Sequence, residues 1–252
     1  MSKYEELRDK GFLALRTYMD SLDAKHGEKI AYWLNDYARF LNKETNFDPK
    51  DLIHYKRGSI VKVHLGYRVG SEEGGLHYGV VIDTQNDLSS PTATIIPFTS
   101  VKPEKRIEKL HRSQVYIGNE IFELLQAKIN KEIDESNRTQ NLLKKMLDEP
   151  IDPDNASPEL QRAYISALAE QIKKLDNKIK LMGRMLREIQ KMKMGSIALV
   201  GQITTISKIR IYDPIYPSDT LSNIRLSAKT MDKLDRKIVE LFTKPNTTTQ
   251  KV

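Results

Sequence analysis

Along this chain the spacing of apolar residues changes twice, and those changes restrict the fold more than any other feature. From Lys56 apolar and polar residues alternate, after about residue 119 the apolar ones recur at intervals of three and four, and from 195 alternation returns. Alternation lines one face of a strand, whereas intervals of three and four line one stripe of a helix. The chain therefore reads as one sheet-forming unit interrupted by a helical insertion. Strands are predicted at 58–65, 79–82, 93–98, 114–117, 196–200 and 203–211, each bounded by Gly, Pro, Asn or Asp. Short, closely spaced strands predict a small barrel, closed so that no edge is left unpaired.

The second arm of the insertion opens with Ser157 as a helix cap and Pro158 at the first helical position. Ile165, Leu168, Ile172, Leu175, Ile179, Met182, Leu186 and Ile189 follow in the seam pattern of a coiled coil. The first arm offers Phe122, Leu125, Ile129, Leu143 and Met146, with polar Glu132, Ser136 and Thr139 in the middle, and 148–157 makes the turn. Residues 119–159 carry 5 bases and 10 acids, and 160–194 carry 9 bases and 3 acids. Arms of opposite charge suit an antiparallel pair, so the Lys/Arg run reads as a partner-matched face rather than an RNA groove. Such a hairpin reaches roughly 40 Å at 1.5 Å per residue.

Two amphipathic helices are predicted at 4–22 and 27–44, the second with Ile30, Trp33, Leu34, Tyr37 and Leu41 on one stripe, and a last helix at 227–242. Trp33 reads as core. The expected organisation is an N-terminal helical hairpin at 1–52, a discontinuous sheet domain at 53–118 and 195–244, the coiled-coil insertion at 119–194, and a disordered tail at 245–252.

Composition narrows the chemistry. The 252 residues include no cysteine and five scattered histidines, which removes thiol catalysis and thiolate metal sites, argues against a zinc site, and implies no cofactor. No run approaches the roughly 18 apolar residues of a membrane span. The opening residues mix acids with bases and lack a leader's apolar core, so no membrane association and a cytoplasmic location are expected. Of the net charge of +7, the segments 56–118 and 195–252 hold the whole excess, 18 bases against 11 acids. A basic sheet unit suits a nucleic acid, RNA or DNA.

Three stretches stand in a telling order: Tyr55-Lys-Arg-Gly-Ser-Ile-Val, then Val69-Gly-Ser-Glu-Glu-Gly-Gly-Leu-His-Tyr-Gly-Val-Val-Ile82, then Ser196-Ile-Ala-Leu-Val-Gly-Gln-Ile-Thr-Thr-Ile-Ser-Lys208. Together with Ser90-Pro91-Thr92 and the run ending in Thr99-Ser100, they resemble the MazF/PemK family of toxin endoribonucleases over about 56–118 and 195–242. The N-terminal helices and the insertion are additions to it. The resemblance implies an α+β fold with a small SH3-like barrel and a C-terminal helix, a homodimer, and a cognate antitoxin protein as partner. It implies cleavage of single-stranded RNA without a metal, leaving a 2′,3′-cyclic phosphate and a 5′-hydroxyl. Such chemistry needs a group to take the 2′-hydroxyl proton, a group to protonate the leaving oxygen, and donors for the phosphoryl oxygens.

Carried over by position, Ser71, Glu72 and Glu73 lie in the loop that covers the RNA, and Thr99 matches an active-site threonine. Gln202, Thr205 and Lys208 match the later strand, and Lys56, Arg57, Arg68 and Lys208 are read as part of the RNA-backbone contact. The assigned catalytic set is Thr99, His77, Ser71 and Glu72. The sequence departs from the family pattern where His77 and Thr204 replace arginines, Tyr78 replaces a proline, Gly201 replaces an acid and Ser207 replaces an aspartate. Histidine exchanges protons near neutrality but is charged only part of the time there, and two fewer arginines weaken phosphate binding.

Two further readings stay open on residues alone. The sheet unit could be a non-catalytic module that keeps the fold and works through its helical hairpin. The N-terminal hairpin or the acidic arm could instead cover the RNA groove as a built-in inhibitor. Gly74-Gly75 suits a simple turn, His77-Tyr78 suits packing at a sheet rim, and Tyr67, Tyr78 and Tyr116 suit either packing or base stacking.

Overall fold

The structure is a computed structural model, and it describes residues 2–101, 107–152, 154–192 and 195–244. The tail expected to be disordered lies outside them. Among the described residues there are five α-helices and seven strands, an α+β fold. Helices α1 (Lys3–Asp20) and α2 (Ala24–Glu44) precede strands β1 (Ile60–His64), β2 (Leu76–Val81), β3 (Thr92–Ser100) and β4 (Gln114–Gly118). Helices α3 (Glu120–Asp148) and α4 (Pro158–Lys191) follow, then β5 (Ser196–Leu199), β6 (Thr204–Ser207), β7 (Ile211–Asp213) and α5 (Ala228–Phe242).

The strands pair in the order β4-β5-β3-β2-β1-β7, with β6 also on β3, and every pair is antiparallel. Strand β3 is long enough to serve three neighbours: 92–95 pair with β6, 95–97 with β2 and 98–100 with β5. The hydrogen-bonded path ends at β4 and β7. The described strands thus form an open sheet, not the closed barrel their spacing predicts. The segment read as one strand over 203–211 is cut at Lys208–Arg210 by a 3₁₀ turn. There the Lys208 amide donates to Pro91 O at 2.8 Å, and the two halves pair with different strands, β6 with β3 and β7 with β1.

Alternation divides the core. Ile60, Val80, Ile96 and Phe98 point towards α3 and α5, where Ile121, Leu125, Met231 and Leu234 cover them. Val61, Val63, Val81 and Ile95 point the other way, onto Tyr55, Leu65, Ile206 and Ile211. Full burial of a side chain of this size stabilises by roughly 1.5–3 kcal/mol, so substituting alanine at Leu125 or Ile96 would weaken the sheet's attachment to its helices.

The helical insertion forms the expected hairpin, opened on its second arm by Ser157, whose Oγ accepts from the Leu160 amide at 3.2 Å. The polar middle of α3 is matched across the hairpin. Lys178 of α4 donates to Glu132 at 2.9 Å and to Glu135 at 2.5 Å, while Ser136 bonds back to Glu132 O at 2.7 Å. At the base, Glu188 of α4 receives bonds from Lys62 of β1 and Tyr78 of β2, tying hairpin to sheet.

The seam is turned relative to expectation. Leu168, Leu175 and Met182 are half-buried and Met185 is fully buried, but Ile165, Ile172, Ile179 and Leu186 are 64%, 59%, 55% and 48% exposed. In α2 the buried residues are Ile30 and Phe40, whereas Tyr37 and Leu41 of the predicted stripe are about half exposed. Helix α1 buries none of its residues. No helix among the described residues is long and apolar enough to cross a membrane.

Candidate functional site

The loop between β1 and β2 is closed at its base by main-chain bonds, Leu65 N to Gly75 O at 2.7 Å and Gly75 N to Gly66 O at 2.8 Å. Gly66 has φ +92°, and a Cβ there would lie 3.0 Å from the Trp33 ring, so only glycine fits this close approach. Across the loop, Gln202 in the 3₁₀ turn after β5 accepts from the Glu73 amide at 2.5 Å and donates to Ser71 O at 3.2 Å. One side chain therefore fixes the loop from the sheet side.

That fixing places Glu73 against His77 at the start of β2, with Glu73 Oε1 3.0 Å from His77 Nε2. His77 Nδ1 lies 3.0 Å from Phe98 O of β3. A carbonyl only accepts, so Nδ1 carries a proton. Nε2 faces a carboxylate that accepts as well, and a ring protonated on both nitrogens satisfies both contacts. Both side chains remain about one quarter exposed. Thr99, the neighbour of Phe98, is half-buried and lines the same cleft as His77, with Ser100 and Ser196 beside it. Ser196 stands opposite Ser100 in the β3–β5 register.

A second cleft of about 400 Å³ adjoins on the other side of Glu73, lined by Arg68, Ser71, Glu72, Gln202 and Thr204. Arg68 is oriented by Leu65 O at 2.8 Å and by Glu72 at 3.6 Å, and among the described residues no further partner occupies its remaining guanidinium donors, which suits an anionic ligand. Among the described residues no group of three His, Cys, Asp or Glu side chains could hold a metal ion.

The structure thus brings together Ser71, Glu72, Glu73, His77, Arg68, Thr99 and Gln202. It separates others from this set. Lys208 is 2% exposed, its Nζ donates to Asp87 O at 3.0 Å, and burial lowers its pKa, so it is turned inward rather than towards a ligand. Arg57 binds Ile82 O and Asp235. Lys56 lines a different cleft with His54 and Arg225. In β6, Thr204 lines the site whereas Thr205 meets Thr94 at 3.3 Å on the opposite side of the strand. Tyr78 points inward to Glu188, and burial is the first cause of its raised pKa.

Helix α2 stands where the sequence predicts it, but its contacts with the loop were not foreseen. Trp33 stacks on His64 at 4.8 Å and on Tyr37 at 5.4 Å, under the Arg210 guanidinium at 5.6 Å, and so fastens α2 beside the loop. Burial lowers the pKa of His64, which places it in the packing of the scaffold. No local signal joins Trp33 to Gly66, because their contact spans two elements. Glu73, read as an RNA-binding residue, is the carboxylate that faces the histidine, and Glu72 instead pairs with Arg68.

No family model and no curated protein matches the chain.

Proposed function

We propose that this chain is a metal-independent endoribonuclease of the MazF/PemK type, with an SH3-like arrangement of its strands, acting on single-stranded RNA as a homodimer restrained by an antitoxin protein. The observation that carries the reading is the His77–Glu73 pair, set beside Thr99 and next to a cleft that presents Arg68. In the reaction Glu73 takes the proton of the 2′-hydroxyl and O2′ attacks phosphorus. The bond to O5′ breaks, and the protonated His77 gives its Nε2 proton to that oxygen. Arg68 and Thr99 donate to the non-bridging oxygens, whose charge grows in the transition state. The products are the 2′,3′-cyclic phosphate and the 5′-hydroxyl, and one proton passing from Glu73 to His77 across 3.0 Å resets the pair. The histidine thus supplies a proton at a position where the resemblance has an arginine, which supplies only charge. The test is cleavage of end-labelled RNA in EDTA, lost in His77→Ala and in Thr99→Ala.

A second reading, in which the hairpin is the working surface, is favoured by an exposed apolar stripe on α4 at Ile165, Ile172, Ile179 and Leu186. They recur every seven residues, the repeat of a helix that pairs along its length. The two readings are compatible if the stripe joins the copies of the dimer. The built-in inhibitor reading has less support, because Glu132 and Glu135 of the acidic arm bind Lys178 within the hairpin.

A further inference from the structure

Beyond the paired clefts, the structure holds a third groove, of about 460 Å³, between α2 and the 66–75 loop. We propose that it is a second subsite for the same RNA strand, in which an unpaired base stacks on Tyr32 and Tyr67 while Lys29 contacts the adjoining phosphate. This inference rests on the nuclease reading of the neighbouring clefts.

Continuity is the first argument. Arg68 and Glu72 line both this groove and the cleft beside Glu73, and Leu76 lines both this groove and the cleft of His77 and Thr99. The groove and the two clefts are therefore neighbours that share these side chains, close enough for one strand to reach all three.

The second argument is the kind of surface. Tyr32 is 66% and Tyr67 42% exposed, so each presents an open ring to the groove. The floor is tightly packed, because Trp33 meets His64, Tyr37 and the Arg210 guanidinium and Gly66 lies against its ring. Tyr18 of α1 lies beside Tyr67, so the C-terminal turn of α1 reaches the loop. Lys29 has no ion-pair partner among the described residues, in contrast to Arg68, which pairs with Glu72. Open aromatic rings beside a free ammonium are what proteins use to hold single strands, the ring for the base and the cation for the phosphate. The volume lies within the range of about 300–1,000 Å³ typical of ligand sites.

The third argument is economy of charge. The groove's one carboxylate is Glu72, already balanced by Arg68, and His26 is balanced by Asp23 at 2.5 Å. Lys29 is left to meet an anion brought by the ligand.

The test titrates full-length protein against an end-labelled, mixed-sequence RNA of about 12 nucleotides under single-turnover conditions, which separates half-saturation from the maximal rate. Tyr32→Ala is expected to raise the half-saturating concentration at least about fivefold with the rate at saturation unchanged, and Tyr32→Phe to behave as wild type. Lys29→Gln is expected to make the dependence of log affinity on log salt shallower by about 0.7. Both residues are exposed at the surface of α2, and a thermal melt equal to wild type confirms that the variants fold. If wild type cleaves and Tyr32→Ala matches it at every RNA concentration, the subsite is overturned and the nuclease reading stands. If wild type leaves the RNA intact, anisotropy on the same RNA decides. Binding weakened by Tyr32→Ala supports the subsite without the nuclease, and absence of binding overturns both.

Discussion

A neutral imidazole has one N–H to give, and at His77 two acceptors wait, Phe98 O and the Glu73 carboxylate, each at 3.0 Å. The cationic ring answers both, which lets a histidine stand where the resemblance has an arginine. It follows that His77→Arg, which keeps the charge but cannot give up a proton, loses RNA cleavage as far as His77→Ala does, about 10²–10⁴-fold in each. Cleavage at least about tenfold faster in the arginine variant than in the alanine variant would show that the ring's charge, and not its proton transfer, is what matters. Two cations offer a contrast of position. Arg68→Met should flatten the salt dependence of RNA affinity by about 0.7 in the log–log slope, whereas Lys208→Met should leave affinity and slope unchanged because that ammonium is held inward by Asp87 O. Titrations between low and high salt distinguish them. Ser71, Glu73, His77, Thr99 and Gln202 were named from the family resemblance, and the structure brings them together at the ends of neighbouring strands and in the loop joining two of them. The inward turn of Lys208 was not legible in the sequence, since it depends on a 3₁₀ turn and on the Asp87 carbonyl, far off in sequence.

At the scale of elements, the hairpin is joined to the sheet through a charged contact that responds to pH. Burial pushes the Glu188 carboxyl up, but bonds from Lys62 and Tyr78 outweigh it and hold the pKa below the usual carboxylate value. A carboxyl with a lowered folded pKa contributes stability above its unfolded pKa, about 4.3, and loses it as pH falls through the folded value. The advantage of wild type over Glu188→Gln in urea midpoint should therefore be clear at pH 7, of order 1–2 kcal/mol, and shrink below about pH 4.3. An advantage independent of pH would locate the effect in packing. The exposed stripe of α4 gives a second prediction. Ile172→Lys combined with Ile179→Lys should convert a dimer to a monomer by light scattering while leaving the melting temperature within a few degrees, as each residue is more than half exposed. Helix lengths and the hairpin itself were legible from the three-and-four spacing. Which edge of α4 faces α3 was not. The choice is made by Lys178 reaching Glu132 and Glu135, and by Met185 filling the base of the hairpin, contacts between arms that no local pattern encodes.

In the whole molecule, the chain leaves the sheet after β4 and returns as β5, which lies between β4 and β3. The two sheet-forming stretches, read from one change of period and its reversal, are thus interleaved rather than placed side by side. Alternation showed where the strands lie; that the two stretches share one sheet, its open path and the branching of β6 from β3 depend on how the long β3 divides its hydrogen bonds. The placement of α2 beside the 66–75 loop rests on Trp33, His64 and Arg210 meeting from three elements, and it adds aromatic surface where the sequence had suggested only a covering hairpin. In the proposed reaction the His77–Glu73 pair and Thr99 cut RNA without a metal. The most direct measurement is incubation of an end-labelled, mixed-sequence RNA with purified protein in EDTA, with His77→Ala and Thr99→Ala prepared identically. Wild type should yield fragments ending in 2′,3′-cyclic phosphate that both variants fail to produce, whereas intact RNA with wild type, or cutting that survives His77→Ala, would sink the nuclease reading.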